Sequence, residues 1–299
     1  MEQAFGKILV IRFSSLGDLV LLTPLLDELR GWAPGAEIHL LTKAIHAPLF
    51  DSDNRIDEVK RLETGSLHEL LQLRSALSKE RYDLIVDAHN VIRSNILYST
   101  TRGGVKLQLK KDQIKKFMLT RTGLNLYGRV VHQAQRYLDI LRPLHAPQGG
   151  TIPSLAIPDS ARERARNLAR DHGFEEGRPV VAMAPGARWE TKRWPVERFA
   201  AAAVSLASLG YGIALIGGPE DESLCAELSN RCDTDPLDAS GRLGPLESAA
   251  LLAECRLLVT NDSAPLHMAE AVGTPVVALY GPTVREFGYF PQLLSLIHI

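Results

Sequence analysis

One stretch near the C-terminal end, residues 257–283, most constrains what this chain can fold into. It reads LLVTNDSAPLHMAEAVGTPVVALYGPT. Apolar runs at 257–259 and 276–280 predict two buried strands, and the apolar residues between them recur at helical spacing. Pro265 suits the first turn of that helix, where its missing N–H would be unbonded anyway. The stretch therefore predicts a strand, a helix and a strand of a parallel α/β sheet.

The start of this predicted helix is a candidate binding site. A helix N-terminus carries unpaired N–H groups and a partial positive charge, so Ser263 and Ala264 suit a phosphate. Asp262, directly before them, suits a sugar hydroxyl. The alternative is that Asp262 and Ser263 only cap the helix and bind nothing.

A second strand-to-helix junction lies at the start of the chain. Residues 7–13 form a continuous apolar run, and leucines recur on one face of residues 19–30. The connecting loop contains SSLGD, in which Gly17 permits close approach of a ligand to the backbone. Asp18 falls at the helix start with its carboxylate at the sheet edge. The alternative interpretation of Asp18 is an acid that complements the helix dipole.

Further strands are predicted at residues 37–41, 56–60 and 82–88, with a helix at 67–77. The strand at 82–88 ends in Asp87 and is followed by His89 and Arg93. Ligands bind at the carboxyl ends of strands in open α/β sheets, so these side chains are candidates for the binding cleft. A structural hydrogen-bonding role is the alternative for His89.

A linker near the middle predicts two domains. Residues 146–150 read APQGG, and two prolines follow within ten residues. We place the domains at 1–152 and 153–299. Helices are predicted at 130–144 and 160–172, and strands at 179–184 and 211–216, so the second half repeats the alternation of strand and helix.

The strand at 179–184 leads into PGARWETKRWP, and the strand at 211–216 leads into GGPE, which ends in Glu220. The first loop places a turn at Gly186 and then the cations Lys192 and Arg193 among tryptophans. An ammonium and a guanidinium there suit a leaving diphosphate, whose negative charge grows in the transition state. The alternative is a surface loop with cation–π contacts.

Composition excludes several classes of protein. The net charge of −1 argues against a dedicated nucleic-acid binder. The three cysteines have no CxxC or zinc spacing, which indicates reduced thiols in the cytoplasm and no metal site. Charged residues interrupt the first apolar run, so neither a signal peptide nor a spanning helix is expected. No GxGxxG follows either first strand and no P-loop motif is present.

Basic residues concentrate between Arg102 and Arg121, where only Asp112 is acidic. Ile114 and Phe117 recur with the lysines at helical spacing, which predicts a basic amphipathic helix. One interpretation is a solvated surface. The other is contact with anionic sugars or lipid headgroups at a membrane.

The motifs together resemble one family. D-S-A-P-x-H from Asp262, followed by GTP and YGPT, resembles the nucleotide-sugar site of the ADP-heptose:lipopolysaccharide heptosyltransferases, glycosyltransferase family 9. SSLGD, PGA-x(4)-KRWP and GGPE resemble its other motifs in the same order. The resemblance implies an α/β fold of the GT-B architecture, with two Rossmann-like domains facing a cleft. The N-terminal domain would hold the acceptor and the C-terminal domain the nucleotide sugar.

The resemblance also implies roles for residues. Asp18 would be the catalytic base, and Lys192 would contact the donor phosphates. The implied donor site comprises Lys192, Gly186, Glu220, Asp262, Ser263, Ala264 and His267. The implied acceptor site comprises Ser15, Gly17, His89 and Arg93. No cofactor and no metal are expected.

The implied function is inverting, metal-independent transfer of heptose from ADP-heptose to the lipopolysaccharide inner core. The cysteines and the lack of a signal peptide predict a cytoplasmic location, and peripheral contact with the inner membrane through 102–121 is one interpretation of that basic stretch. Alternatives are another nucleotide sugar and acceptor, a GT-B nucleotide-sugar epimerase, or a binding protein without transferase activity. The chain ends in QLLSLIHI, whereas the resemblance implies a further strand and helix. We therefore expect residues 292–299 to mark a truncated or foreign end, with low stability as the consequence.

Overall fold

Two parallel five-stranded sheets form the framework of the chain in a computed structural model that describes residues 5–147, 149–174 and 177–293. Each sheet belongs to its own compact unit. The first unit comprises the described residues of Met1–Thr151 together with Arg285–Gly288. The second comprises those of Ile152–Val284 and Tyr289–Ile299. Residues 294–299 of the predicted foreign end lie outside the described residues.

The sheet of the first unit has the order β3-β2-β1-β4-β5. Its strands are β1 (Lys7–Ile11), β2 (Glu37–Lys43), β3 (Glu58–Leu62), β4 (Tyr82–Asp87) and β5 (Gly103–Gln108). The helices are α1 (Leu16–Val20), α2 (Thr23–Trp32), α3 (Leu67–Lys79), α4 (Ile92–Thr100), α5 (Gln113–Thr122) and α6 (Gln133–Leu138). Short 3₁₀ helices cover Ala44–Leu49, Asp139–Leu144 and Arg285–Phe287. β1 is the central strand, and its register sets Ile8 beside both Ile38 and Leu84. Because both faces of β1 are covered, its sequence is a continuous apolar run.

The sheet of the second unit has the order β10-β9-β6-β7-β8. Its strands are β6 (Val180–Ala184), β7 (Gly212–Leu215), β8 (Leu237–Asp238), β9 (Leu257–Asn261) and β10 (Val276–Leu279). The helices are α7 (Asp159–Asp171), α8 (Val196–Ser208), α9 (Glu222–Arg231), α10 (Pro245–Ala253) and α11 (Ala264–Ala271). Short 3₁₀ helices cover Glu190–Lys192 and Pro219–Asp221. Val181, Met183, Ile213 and Leu215 of β6 and β7 pack with Phe199 in the core.

Both sheets share one topology. The first strand in sequence is central, the next two lie on one side of it, and the last two lie on the other. Successive strands are therefore added first on one side of the central strand and then on the other. The switch lies between β1 and β4 in the first unit, and between β6 and β9 in the second. Loops at the carboxyl ends of such a pair diverge and leave a crevice, which is where open α/β sheets bind ligands. The predicted α/β class with two Rossmann-like sheets is confirmed.

The helix predicted at 19–30 is instead two helices, α1 and α2. Pro24 has no N–H to donate to the carbonyl of Val20, and Thr23 Oγ1 donates to that oxygen instead, at 2.8 Å. The chain therefore turns at the junction and starts a new helix. The helix predicted at 130–144 is also shorter, since α6 is followed by the 3₁₀ helix Asp139–Leu144 that contains Pro143.

The basic stretch 102–121 is not one helix. Its first part is β5, where Gly103 and Gly104 pack so closely on β4 that a Cβ on Gly103 would lie 2.6 Å from Ile85 Cδ1. Lys106 on this strand donates to the carbonyl of Tyr98 at 2.7 Å. Only the part from Gln113 onward is helical.

Among the described residues, none of the helices combines the length and hydrophobicity that crossing a bilayer requires.

Candidate functional site

Asp18 lies on α1, the short helix that follows β1. Ser15 is the N-cap of this helix, and its Oγ donates to Asp18 Oδ2 at 2.8 Å. The backbone N–H of Ser15 donates to the same oxygen at 3.2 Å. The Ser14–Ser15 peptide bond is cis. Within the SSLGD segment, two donors of Ser15 therefore bind the Asp18 carboxylate at the carboxyl end of the central strand.

Two residues that the sequence did not single out complete the environment of Asp18. Arg12 Nη2 lies 2.8 Å from Asp18 Oδ2, and Arg12 Nη1 donates to the carbonyl of Ala88 at 2.7 Å. The hydroxyl of Tyr137, on α6, donates to Asp18 Oδ1 at 3.0 Å, and the Arg12 guanidinium lies 5.4 Å from the Tyr137 ring centre. The sequence did indicate that Arg12 has a partner, because a charged side chain inside a buried apolar run requires one. Tyr137 carried no such signal.

These contacts set the charge of Asp18. Burial by itself would raise the pKa of the carboxyl group, since desolvation disfavours the charged form. The positive charge of Arg12 and the hydrogen bonds from Ser15 and Tyr137 outweigh burial and lower the pKa below its ordinary value. Asp18 is therefore ionised at neutral pH and is oriented through both of its oxygens.

His89 lies beside this group at the end of β4. Its Nδ1 accepts a hydrogen bond from the backbone N–H of Phe13 at 3.3 Å. Burial, with the positive charges of Arg12 and Lys111, lowers the pKa of His89 to about 3. The ring is therefore neutral at physiological pH. This suits a hydrogen-bonding role and excludes His89 as a general acid near pH 7.

Asp87 organises the loop that carries His89. Its Oδ1 accepts from the N–H groups of His89 and Asn90, each at 2.9 Å. Its Oδ2 accepts from Ser94 Oγ at 2.9 Å and Gln108 Nε2 at 2.8 Å. This fully buried carboxylate holds the β4 loop to α4 and β5.

The other predicted acceptor-side residues differ in position. Gly17 is buried within α1, one residue from Asp18. Ser15 is exposed and contacts Asp18 directly, as described above. Arg93 is exposed on the first turn of α4, where its Nη1 would lie 3.0 Å from a Cβ on Gly65. The structure thus brings Ser15, Gly17 and His89 together around Asp18 and places Arg93 over the turn before α3.

In the second unit, the loops after β6 and β9 meet. Lys192 Nζ lies 2.6 Å from Asp262 Oδ2, and the Asp262 side chain is 6% exposed. Asn261, at the end of β9, donates to the carbonyl of Pro185 at 2.7 Å and accepts from the N–H of Trp194 at 2.9 Å. The PGARWETKRWP loop is therefore fastened to β9, and its lysine reaches the helix start at α11.

Gly186 and Glu220 approach the same region from β6 and β7, but the carboxylate that lies there is Asp221. A Cβ on Gly186 would collide with the Asp221 carboxylate, and one on Gly217 would lie 2.6 Å from Asp221 Cβ. Asp221 Oδ2 accepts from the N–H of Gly218 at 3.1 Å, and burial raises the pKa of its carboxyl group. Glu220 is exposed. The only sequence signal for Asp221 was its place directly after the GGPE turn.

Helix α11 starts beside the Lys192–Asp262 pair. Ser263 is its N-cap, yet the Ser263 side chain makes no capping bond, and its Oγ lies 3.4 Å from Thr260 Oγ1. Ala264 is the first residue of the helix. His267 is buried and its Nδ1 lies 3.3 Å from Glu270 Oε2. The structure therefore places Ser263 and Ala264 directly after Asp262, which Lys192 contacts, while His267 pairs with Glu270 in the interior.

Within residues 5–147, 149–174 and 177–293, no group of three or more His, Cys, Asp and Glu side chains is arranged to hold a metal ion. The three cysteines are buried free thiols, and burial raises the pKa of Cys225 and of Cys255 to about 12.

Comparisons with known proteins agree on one family. Residues 70–289 match the family model described as glycosyltransferase family 9 (heptosyltransferase). The chain is 27% identical over 284 residues to lipopolysaccharide heptosyltransferase 3 of Escherichia coli, covering 91% of this chain and 82% of that protein. It is 28% identical over 304 residues to lipopolysaccharide heptosyltransferase 2 of Salmonella typhimurium LT2, covering 94% and 84%.

Solved structures show the same relationship. The glycosyl transferase family 9 protein of Veillonella parvula DSM 2008 is 26% identical, with a TM-score of 0.87 over 100% of this chain and 87% of that chain. The E. coli ADP-heptose LPS heptosyltransferase II is 25% identical, with a TM-score of 0.79 over 98% and 90%. The predicted GT-B class is confirmed by these similarities.

Proposed function

This chain belongs to glycosyltransferase family 9, the heptosyltransferases, and from that membership we propose that it transfers a heptose from ADP-heptose to the lipopolysaccharide inner core. The acceptor is a sugar of the lipid A–Kdo region or a heptose already attached to it. The names of the relatives support this proposal, because two are lipopolysaccharide heptosyltransferases and one solved structure is an ADP-heptose LPS heptosyltransferase. That the chain is a glycosyltransferase follows from the family itself.

The proposed reaction is a single displacement at the anomeric carbon. The acceptor hydroxyl oxygen forms the new bond to that carbon as the bond to the diphosphate oxygen breaks, so the configuration inverts and ADP leaves. Asp18 takes the proton of the attacking hydroxyl. Such a general base must be unprotonated before the reaction, and the lowered pKa of Asp18 meets that requirement at neutral pH.

Lys192 and the start of α11 stabilise the leaving diphosphate in this proposal. Lys192 has three N–H donors, so it can keep one on Asp262 and direct others to phosphate oxygens. Asp262 and Ser263 hold the sugar and phosphate groups close to the uncapped helix N-terminus. Gly186 has no side chain, so the Asp221 carboxylate can lie against the backbone at this sheet edge. Because lysine and the helix N-terminus supply the positive charge, the reaction is proposed to need no metal.

One observation carries the chemical part of the proposal. In each unit the best candidate group lies where the strand order switches sides. Asp18 follows β1, and the Lys192–Asp262 pair joins the loops after β6 and β9. Open α/β sheets bind ligands at this point. Both positions coincide with the motifs that resemble the family, so fold and motif select the same residues.

The test is direct transfer. The purified chain is incubated with ADP-heptose, or with other nucleotide sugars, and a heptose-deficient lipopolysaccharide core, and products are read by mass spectrometry. A mass gain of one heptose with ADP-heptose supports the proposal. A gain only with another sugar nucleotide assigns a different donor, and conversion of the donor sugar without any acceptor assigns an epimerase.

Two additional measurements examine the finer claims. The anomeric configuration of the product, measured by NMR, must be opposite to that of the donor if the reaction inverts. Activity that survives exhaustive treatment with EDTA agrees with metal independence, and activity lost to EDTA and restored by a divalent cation contradicts it. The cytoplasm is the proposed location, in keeping with three buried free thiols.

A further inference from the structure

Glu270 is a fully buried acidic residue in the last turn of α11, with a side chain that is 0% exposed. Two physical effects disfavour an acid at this position. Burial removes the water that would solvate the carboxylate, and the C-terminal end of a helix carries a partial negative charge. The last turn of α11 has no basic residue to offset that charge. Specific partners must therefore compensate for the position of Glu270.

The partners of Glu270 come from two parts of the second unit. Its Oε1 accepts hydrogen bonds from the backbone N–H groups of Gln292 and Leu293, the second of them at 3.4 Å. Its Oε2 lies 3.3 Å from Nδ1 of His267, one turn earlier on α11. The carboxylate therefore connects this histidine with residues 289–293, which we call the 289–293 segment.

The 289–293 segment is fastened at a second point. The hydroxyl of Tyr280, directly after β10, donates to the carbonyl of Tyr289 at 2.8 Å. The ring of Tyr289 lies 6.3 Å from the ring of His267, with 48° between the two ring planes. The residues of the segment are half-buried. The segment therefore lies against the buried side of α11, beside the histidine.

His267 lies between Glu270 and the start of α11. Positions three and four apart share one side of a helix, so His267 lies on the side of Ser263 and Ala264, at the proposed phosphate site. Aromatic side chains in helices lean toward the N-terminal turn, which brings the His267 ring toward that site. Among the residues that the structure describes, none hydrogen-bonds to its Nε2. This nitrogen is therefore available to a ligand.

Glu270 determines which ring nitrogen of His267 carries a proton. An ionised carboxylate only accepts hydrogen bonds, so Nδ1 must donate to Oε2. A neutral imidazole with its proton on Nδ1 has a lone pair on Nε2. In that form Nε2 accepts a hydrogen bond from a hydroxyl group, such as one on the sugar of a nucleotide sugar, and it cannot donate to a phosphate.

We propose that Glu270 is a positioning residue of the donor site. It holds His267 in the Nδ1–H form, so that Nε2 accepts from a hydroxyl of the donor sugar, and it makes this arrangement depend on the 289–293 segment. Without the backbone donors of that segment, nothing would fix Oε1, and the contact of Oε2 with Nδ1 would loosen. The ligand in this proposal rests on the proposed function, which places a nucleotide sugar at the start of α11.

Glu270→Gln in the full chain tests the choice of nitrogen. The backbone N–H groups of the segment still require an acceptor, so the amide oxygen replaces Oε1 and the amide NH₂ group faces Nδ1. Nδ1 must then accept, and the ring proton moves to Nε2. In nitrogen NMR spectra of labelled histidines, the His267 signals should change from the Nδ1–H pattern to the Nε2–H pattern. The loss of the same signals in His267→Gln identifies them.

The affinities should separate the sugar from the nucleotide. Glu270→Gln should bind ADP-heptose about tenfold more weakly, and ADP, which has no heptose hydroxyl, within about twofold of the unaltered affinity. A general disturbance of the fold would weaken both ligands alike. Glu227→Gln, which removes an exposed carboxylate paired with Arg231 on α9, is the matched control and should change neither affinity.

Gln292→Pro tests the dependence on the 289–293 segment. Proline has no backbone N–H, so this change deletes one donor to Glu270 and leaves the side chains of Glu270 and His267 chemically unaltered. ADP-heptose should bind about fivefold more weakly, and the backbone amide of Leu293 should exchange its hydrogen faster. Gln292→Ala also removes the glutamine side chain but keeps the N–H, so it is the matched control and should bind as the unaltered chain does.

Several outcomes would overturn the proposal. One is a proton on Nε2 of His267 in the unaltered chain, and another is an unchanged His267 spectrum in Glu270→Gln. Equal losses of affinity for ADP and ADP-heptose would assign Glu270 a purely structural role. Equal affinities of Gln292→Pro and Gln292→Ala would exclude the 289–293 segment. Failure of the unaltered chain to bind any nucleotide sugar would contradict the proposed function instead, and the NMR comparison would still decide whether Glu270 sets the proton on His267.

Discussion

Arg12 and Asp18 form an ion pair at the carboxyl end of the central strand of the first sheet, with 2.8 Å between Nη2 and Oδ2 and side chains only 7% and 13% exposed. The arginine therefore does two things to the proposed base. It holds the carboxylate ionised at neutral pH, and it fixes its orientation, because Arg12 is itself bound to the carbonyl of Ala88. A substitution of either residue should therefore change both the reactivity of Asp18 and the stability of the folded chain.

Replacing Asp18 by asparagine should abolish transfer and leave donor binding intact. The amide has the shape of the carboxylate but cannot accept a proton, and general bases contribute about 10²- to 10⁴-fold. We expect kcat/KM to fall at least about 100-fold and the calorimetric affinity for ADP-heptose to stay unchanged. Asp51→Asn, which removes an exposed carboxylate paired with Arg61, is the matched control. A loss below tenfold would remove Asp18 from the role of base.

The same substitution should lower stability, because Arg12 then keeps a buried charge without its carboxylate partner. Breaking one side of a buried ion pair typically costs about 3–5 kcal/mol. Activity must therefore be measured well below the melting temperature of the Asp18→Asn variant.

Tyr137→Phe should shift the titration of Asp18 and loosen the orientation of its carboxylate without removing the base. The substitution keeps the ring near Arg12 and deletes the hydroxyl that donates to Asp18 Oδ1 at 3.0 Å. That hydrogen bond helps to lower the pKa of Asp18, so its loss raises the pKa. The acid limb of the pH profile of kcat/KM should move to higher pH. At neutral pH Asp18 stays ionised, so any fall there reflects the lost orienting hydrogen bond and should not exceed about tenfold. An acid limb identical to that of the unaltered chain and of Tyr211→Phe would contradict this role.

Stability should fall on acidification partly because of His89. Its folded pKa of about 3 lies below the unfolded value of about 6.5, so between these values the unfolded chain binds a proton that the folded chain does not. Protonation then favours unfolding, and stability present at pH 7 is lost as pH falls from about 6.5 toward 3. From pH 7 to pH 5 we expect His89 to account for about 1 kcal/mol of the loss.

Urea unfolding at the two pH values measures this effect. His89→Gln should lose less stability on acidification than the unaltered chain, by about 1 kcal/mol. His68→Gln, an exposed histidine on α3, should behave as the unaltered chain does. Equal losses for His89→Gln and the unaltered chain would exclude a depressed pKa at this position.

Lys192→Ala should weaken ADP binding more than any other charge removal in its loop. A charge-assisted hydrogen bond contributes about 1.5–3 kcal/mol, which is about 10- to 150-fold in affinity. Arg188→Ala, in the same exposed loop, removes an equal charge that lies over the Trp189 ring at 5.4 Å and is the matched control. Calorimetry that shows equal affinities for both variants would exclude Lys192 from the phosphate site.

A double variant separates binding from stability at this position. Lys192→Ala leaves Asp262 as a buried carboxylate without its lysine, so the melting temperature should fall as well. Lys192→Ala/Asp262→Asn removes that unpaired charge and should recover melting temperature without recovering donor affinity. Recovery of affinity in the double variant would show that the lysine acts only by neutralising Asp262.

Local patterns predicted most of the strands well, because each is a short buried run. β1, β2, β4, β6, β9 and β10 lie within about two residues of the predicted ends. β5 was missed because the alternation of Val105 and Leu107 with polar residues is short and lies inside a basic stretch that predicted a helix. Gly103 and Gly104 let this strand pack closely on β4. The split between α1 and α2 was missed although its cause, Pro24, is in the sequence.

The sequence by itself determined the alternation of strands and helices, the two halves and the placement of Asp18, Lys192 and Asp262 in the segments that follow strands. These features depend on periodicity and turn residues, which act over a few positions along the chain. Strand order, by contrast, depends on which buried strands pair side by side, and pairing is non-local. Only the tertiary structure could place Tyr137 on Asp18 across 119 residues, and Lys192 on Asp262 across 70. The periodicity of the sequence predicts that a side chain is buried, and the tertiary structure determines which residue it contacts.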